Sequence, residues 1–192
     1  MPRDEDHPPV VSGTPQMTGG APSADDAALE AALALRFEHA FDIRINFDKR
    51  WVFGPISGGS RHGYTSVGSG CTVRGPLLNG HLVDFSGADW PVVRPDGVVE
   101  LNAHYMIEAD DGARIYIRNL GYVHGPLRKA GQAAEEPPAI PPYFRCTPYF
   151  RAPEGPHDWL NRSVLVGIGQ RRPRTSPDGD PDHSLFRYYR IV

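Results

Sequence analysis

The chain has 192 residues, 21 of them glycine and 20 proline, against a combined average usage of about 12%. That excess excludes long helices and coiled coils, while 40% hydrophobic residues suffice to bury a core. Net charge is −3, and Arg3 against Asp4, Glu5, Asp6, Asp25 and Asp26 concentrates it at the start. The near-neutral remainder has no basic footprint for nucleic acid.

Residues 1–25 are rich in Pro, Gly, Ser and Asp and are expected to form a disordered tail, since they have too little apolar surface to offset ordering. Ser23 reads as the cap of a helix running to about Leu35, with Asp25 and Asp26 favouring its first turn. From Phe37 the period becomes two. Phe37, His39, Phe41, Ile43, Ile45 and Phe47 share one strand face, and Glu38, Asp42, Arg44, Asn46 and Asp48 the other. Further strands are expected at Thr72–Arg74, Leu77–Phe85, Val92–Arg94, Val98–Glu108, Ala113–Asn119, Val164–Gly169 and Leu185–Val192, with Gly/Pro turns between them. Residues 125–142 hold five prolines and read as a long loop of the kind that covers a site. Arg171, Arg172 and Arg174 read as a basic, solvated loop, and residues 178–182 as an exposed hairpin tip. Many short strands with Gly/Pro turns point to an all-β sandwich or barrel.

Asp111-Gly112 between two apolar-rich runs signals a tight two-residue hairpin. That turn pairs Glu108 with Ile115 and His104 with Asn119. Glu100, Asn102, His104, Met106 and Glu108 then share a face with Ile115, Ile117 and Asn119. The other face carries Leu101, Ala103, Tyr105 and Ile107 with Arg114, Tyr116 and Arg118. Two readings stand. In one, Asn102, His104 and Glu108 point into a pocket; in the other, that face is solvated and Tyr105 and Tyr116 pack in the core.

Cys71 and Cys146 form no CxxC and imply no disulfide framework. A basic start followed by an apolar run is missing, and the apolar stretch Ala27–Leu35 is too short to span a bilayer, so the reading is a cytoplasmic protein without a membrane partner. No phosphate-binding glycine loop, GxSxG elbow or HExxH occurs, and His62, His81 and His104 fall on separate elements. Neither a metal nor a cofactor is expected.

The run Gly87-Ala-Asp-Trp90, Arg94-Pro-Asp-Gly97 and Asp110-Asp-Gly-Ala-Arg-Ile-Tyr-Ile-Arg-Asn119, followed by Tyr143-Phe-Arg145, Phe150 and Trp159-Leu-Asn-Arg162, resembles the domain-of-unknown-function 3237 family, also called uncharacterised protein family 0311. The resemblance covers Phe37 to Val192. It implies one antiparallel β-barrel of lipocalin-like, up-and-down shape with a central cavity, so residues 26–192 are expected to form a single barrel domain with a short N-terminal helix. It implies no common reaction, only an association with aromatic or secondary metabolism. Members often carry Asp-x-Arg where this chain has Asn102-Ala-His104, which replaces a charged pair by an amide and an imidazole suited to holding a carbonyl and moving a proton.

The expected function is therefore a cofactor-independent cyclase, isomerase or dehydratase acting on an aromatic or polyketide-like metabolite in the cavity. His104 serves as acid or base, Asn102 polarises an oxygen, and Asp89 or Tyr116 carries the second proton. Arg61, Tyr105, Glu108, Arg118, Arg145, Trp159 and Asn161 are the candidate substrate contacts. The alternatives are a non-catalytic carrier of hydrophobic small molecules, and a structural module if side chains fill the barrel; a homodimer through the Phe37–Phe47 strand stays open.

Overall fold

The structure, a computed structural model, describes residues 23–125, 143–174, 176 and 178–192. The expected tail up to residue 22 and the Pro-rich stretch 126–142 lie outside the described residues. The chain divides into two units, one ending at Leu35 and one running from Arg36 to Val192. In the first, helix α1 (Ala24–Leu33) begins where the Ser23 hydroxyl accepts the Asp26 N–H at 3.1 Å. The Asp26 carboxylate takes the Ser23 N–H in return, also at 3.1 Å, which satisfies two orphan donors reciprocally. The helix stops two residues before Leu35, and none of its residues is buried.

The second unit is one antiparallel sheet of β1 (Phe37–Phe53), β2 (Arg61–Val67), β3 (Thr72–Arg74), β4 (Gly80–Leu82), β5 (Ala88–Asp89), β6 (Val92–Val93), β7 (Val99–Ala109), β8 (Arg114–His124), β9 (Tyr143–Arg151), β10 (Leu165–Arg172) and β11 (His183–Ile191). Eight strands close a ring in the order β1, β11, β10, β9, β8, β7, β4, β3 and back to β1. This is the antiparallel barrel. The wall between β1 and β7 is built twice. At one end β3 and β4 bridge Asp42–Arg44 to Ile107–Ala109. At the other, β2, β5 and β6 bridge the second half of β1 to the first half of β7.

Two local irregularities decide which side chains face inward. The first is a bulge in β1: His39 pairs with Tyr189 and Phe41 with Tyr188, so Ala40 is extra. One added residue flips every side chain before it. Phe41, Ile43 and Ile45 are buried, but Phe37 is exposed and His39 joins Asp42 on the outside, which corrects the single six-residue face expected from alternation. The second is the β7–β8 turn. Gly112 N–H bonds Ala109 O at 2.8 Å, and Ala109 N–H bonds Ala113 O at 2.9 Å. The loop thus has three residues, Asp110, Asp111 and Gly112, with Gly112 at φ +86°, where a Cβ is strained. Glu108 then pairs with Arg114, Met106 with Tyr116 and His104 with Arg118. The expected two-residue register is one residue out.

Strands β2 and β9 were not among the expected elements. Tyr143, Phe144, Tyr149 and Phe150 belong to the wall, with Phe144 and Phe150 buried and the two tyrosines exposed. The expected Leu77–Phe85 strand shortens to β4, while β7, β8, β10 and β11 run longer than or past their expected ends. Arg171 and Arg172 belong to β10 rather than to a solvated loop. Residues 178–180 sit in the exposed β10–β11 connection, apart from the half-buried Gly179.

The β3/β4 end of the ring is filled. Phe41 packs on Tyr188 with centroids 5.2 Å apart and edge-on to Phe150 at 6.1 Å. Ile107, Ile115, Leu78 and Leu82 are at most 1% exposed. Each such side chain contributes about 1.5–3 kcal/mol of transfer free energy. The other end stays open.

Candidate functional site

Within the open end lies a cavity of about 930 Å³. Its walls are largely aromatic and aliphatic, with Phe47, Trp51, Phe144 and Phe186 among them. One row of inward side chains crosses it by direct cross-strand pairing: Arg50 opposite Thr65, Thr65 opposite Asp89, Asp89 opposite Ala103, and Ala103 opposite Asn119. Residues directly opposite on antiparallel strands share a face, and all five line the cavity. Ala103 is the small member, so Asp89 and Asn119 flank an open gap above it.

Asp89 is mostly buried, and burial is the largest influence on its carboxyl; it pushes the pKa up to about 6. Three weaker influences pull the other way: the Asn102 N–H, the Trp90 N–H and the Arg50 charge. The Asn102 N–H donates to Asp89 Oδ1 at 2.9 Å and fixes the carboxyl's orientation. Tyr105 and Asn119, each 2% exposed, also line the cavity. The Tyr105 hydroxyl and Asn119 Oδ1 have no well-formed hydrogen bond within the protein. Burial pushes the Tyr105 phenol well up, so it stays protonated. A buried polar atom left unsatisfied costs about 1–3 kcal/mol; the Tyr105 hydroxyl has the buried Tyr188 hydroxyl beside it and Asn119 the Cys146 thiol, and the raised Asp89 carboxyl is the proton carrier that lines the cavity with them.

The other expected catalytic residues lie elsewhere. His104 is on the outer face, because its strand neighbours Ala103 and Tyr105 are the buried ones. Its Nε2 is 3.1 Å from Asn102 Oδ1 and its Nδ1 2.6 Å from the Tyr116 hydroxyl. Asn102 Oδ1 can only accept, and also accepts from Arg118 Nε at 3.2 Å. Nε2 therefore carries the proton, and Nδ1 accepts from Tyr116. His104, Asn102, Tyr116 and Arg118 thus satisfy one another outside the barrel, and the expectation that Asn102 and His104 converge in the cavity is corrected. Glu108 is likewise outside, paired to Arg114 at 3.1 Å.

Among the expected substrate contacts, only Tyr105 lines the cavity. Arg61 is exposed. Trp159 packs half-buried against the core beneath the Arg190 guanidinium, 5.6 Å from its ring centroid. Asn161 clamps Ala152, accepting its N–H and donating to its carbonyl, both at 2.9 Å. Arg145 and Asn102 border a second hollow of about 1080 Å³ on the outer face of β7–β10. Of its polar groups, Asn102 is engaged as above, Glu100 accepts from Arg94, and Arg145 donates once, to the Phe144 carbonyl. The inner cavity is the one that holds a buried carboxyl, Asp89. Sequence reasoning missed Asn119, Arg50 and Arg171 there. Asn119 was visible as a polar residue two positions beyond Ile117, but only the correct turn length sets it opposite Ala103 rather than His104. Among the described residues, no three His, Cys, Asp or Glu side chains cluster as a metal site requires, and no helix is long and apolar enough to cross a membrane.

The sequence model of DUF3237, proteins of unknown function, matches residues 35–191. The chain belongs to the DUF3237 family. Relatives include a UPF0311 protein of Clostridium acetobutylicum, 32% identical over 162 residues that cover 82% of this chain and 94% of that one. Another, from Rhodopseudomonas palustris, is 31% identical over 139 residues, 71% of this chain and 89% of that one. Among solved structures, a β-barrel-like protein of Acinetobacter baumannii is 25% identical with TM-score 0.67, covering 83% of this chain and 97% of its own. A structure described as an enzyme from Penicillium herquei is 17% identical with TM-score 0.57, covering 91% and 99%, a likeness of fold alone.

Proposed function

We propose that the protein is a cofactor-independent enzyme moving protons on an aromatic or polyketide-like small molecule in the inner cavity, in a cyclisation, isomerisation or dehydration. The observation that carries this reading is Asp89. A carboxyl with a pKa of about 6, oriented by the Asn102 N–H and facing an apolar chamber, can both take and return a proton near neutral pH. Asp89 removes a proton from carbon next to a carbonyl. The protonated Tyr105 hydroxyl donates to the oxygen that gains charge, and Asn119 Oδ1 accepts from a substrate hydroxyl. The aromatic walls keep water away and hold a planar substrate flat.

The experiment is proton exchange in D2O, with a panel of polyhydroxylated naphthalenones and anthrones followed by NMR. Enzyme-dependent deuterium uptake is expected, falling by about 100-fold or more in Asp89→Asn, the usual weight of a general base. Uptake at the wild-type rate in that variant would refute the assignment. The predominantly apolar lining favours one second reading, a carrier barrel, which binds these compounds in both proteins and exchanges no proton.

A further inference from the structure

The cavity lining holds two guanidiniums, Arg50 and Arg171, against one carboxylate, Asp89. We propose that Arg50 and Arg171 form an anion subsite at the rim, so that the ligand is a planar aromatic carboxylic acid, bound as its carboxylate. This deepens the reading above and rests on its cavity.

Four observations support it. Both guanidiniums lie over the Phe47 ring, Arg50 at 5.4 Å and Arg171 at 4.7 Å from the centroid, so one aromatic plate holds both forks at the same place. Both also share a single oxygen, Asp182 Oδ2, Arg50 at 3.2 Å and Arg171 directly hydrogen-bonded. Asp182 is not among the lining residues, so the groups that face the cavity are the two guanidiniums and the single Asp89 carboxyl, two strands from Arg50. The Arg171 side chain is only 21% exposed, so it has lost much of its water, and a desolvated cation calls for a counter-ion. Finally, few of their donors are spent. Among the described residues, Arg171 donates to Asp182 and to the His183 carbonyl, and Arg50 reaches Asp182 alone, whereas each guanidinium has five N–H groups.

Geometry then orders the ligand. Arg50 and Asp89 stand two strands apart in the same row, with Thr65 between them, about 10 Å at ordinary strand spacing. A carboxylate taken by the Arg50 and Arg171 forks lets fused rings extend along the wall made by Phe144 and Phe186, which pack edge-on to each other with centroids 5.1 Å apart, toward the gap flanked by Asp89 and Asn119. Carboxylate recognition at the rim therefore aims ring carbons at the proton carrier.

The test is calorimetric titration with 2-naphthoate and its neutral isostere 2-naphthamide at pH 7.5. Wild type is expected to bind the naphthoate about tenfold or more tightly than the amide, a charge-assisted preference that shrinks as salt rises. Arg50→Gln leaves the Arg171–Asp182 pair intact and is expected to cut the preference several-fold. The double Arg50→Gln, Arg171→Gln protein is expected to lose it, and Asp89→Asn to keep it. Equal affinities for the two probes in wild type, or an unchanged preference in Arg50→Gln, overturn the anion subsite while leaving proton transfer by Asp89 standing. Binding of neither probe overturns the cavity itself and both readings with it. Full preference together with unaltered proton exchange in Asp89→Asn overturns the catalytic reading alone.

Discussion

Replacing Asp89 by asparagine should make the protein more stable at neutral pH. The folded-state pKa of about 6 stands above the ordinary 3.8 because burial disfavours the charged form. A raised carboxyl pKa means that the folded state binds protons more tightly than the unfolded chain. Stability from the neutral carboxyl is therefore fully present below the unfolded pKa near 3.8 and is lost as pH rises through about 6. At about 1.4 kcal/mol per tenfold, that rise corresponds to about 3 kcal/mol at pH 8 and almost nothing at pH 3.5. The substituted amide would keep the oxygen that accepts the Asn102 N–H and remove the ionisation, so the variant escapes the penalty. Urea unfolding of both proteins between pH 3.5 and 8 reads the difference directly. The curves should coincide at the acid end and separate in favour of Asp89→Asn as pH rises. The corresponding increase in Tm at pH 8 is roughly 2–4 °C per kcal/mol for a domain of this size. Equal stabilities across the range, or a variant weaker than wild type at pH 8, would refute the claim that Asp89 sits ionised at a cost.

Other consequences follow from the same structure. His104→Ala removes two hydrogen bonds on the outer face and should cost about 1–2 kcal/mol in urea unfolding, with binding of 2-naphthoate in the cavity unchanged. Gly87→Ala would place a Cβ 1.7 Å from the His104 carbonyl oxygen, with the Tyr105 backbone 2.9 Å away; a loss of about 3 kcal/mol or more is expected, read as a lowered urea midpoint. Both cysteines are buried, and burial pushes the Cys146 thiol up to about 11, so neither should react with Ellman's reagent until denaturant unfolds the protein. Asp42 is held below its usual range chiefly by Arg187, with two contacts of 2.9 Å. Its contribution is present above the ordinary 3.8 and lost as pH falls through the lowered value; because both side chains are more than a third exposed, Asp42→Asn should cost less than about 1 kcal/mol at pH 7 and nothing in strong acid.

Much of the barrel was legible because alternation and turn residues report the wall strand by strand. Ile43 and Ile45 point inward as their spacing requires, and Tyr105 is in the core, as one of the two hairpin readings had it, with Ala103 and Ile107 on the same face; Tyr116, which that reading also placed in the core, lies outside on His104. Strands β2 and β9 were hidden for physical reasons. In β2, Arg61, His62, Gly63 and Tyr64 alternate without a clean apolar face. In β9, Pro148 interrupts the run, yet Phe144, Cys146 and Phe150 still take the inward positions. The bulge at Ala40 was equally unreadable, since alanine suits either face and nothing in its composition marks an extra residue.

The site depended on a single residue of loop length. Asp111-Gly112 suits a two-residue turn or the last two positions of a three-residue turn, and Gly112 has a positive φ in the observed one. With two residues, His104 and Asn119 share a face and the imidazole looks catalytic. With three, Ala103 lies opposite Asn119, and His104 lies opposite Arg118 on the outside. The shift changes the chemistry of the chamber from an imidazole to a carboxyl, because the strand next to β7 presents Asp89 opposite Ala103. An alanine at that point of the row then has a purpose that neither register suggests alone. It is the smallest inward side chain between two oxygen-bearing neighbours, and a larger residue there would occupy the space where a substrate atom must sit to reach both. Ala103→Val should therefore leave the barrel folded while abolishing 2-naphthoate binding. Undiminished binding in that variant would move the ligand away from the Asp89–Asn119 gap.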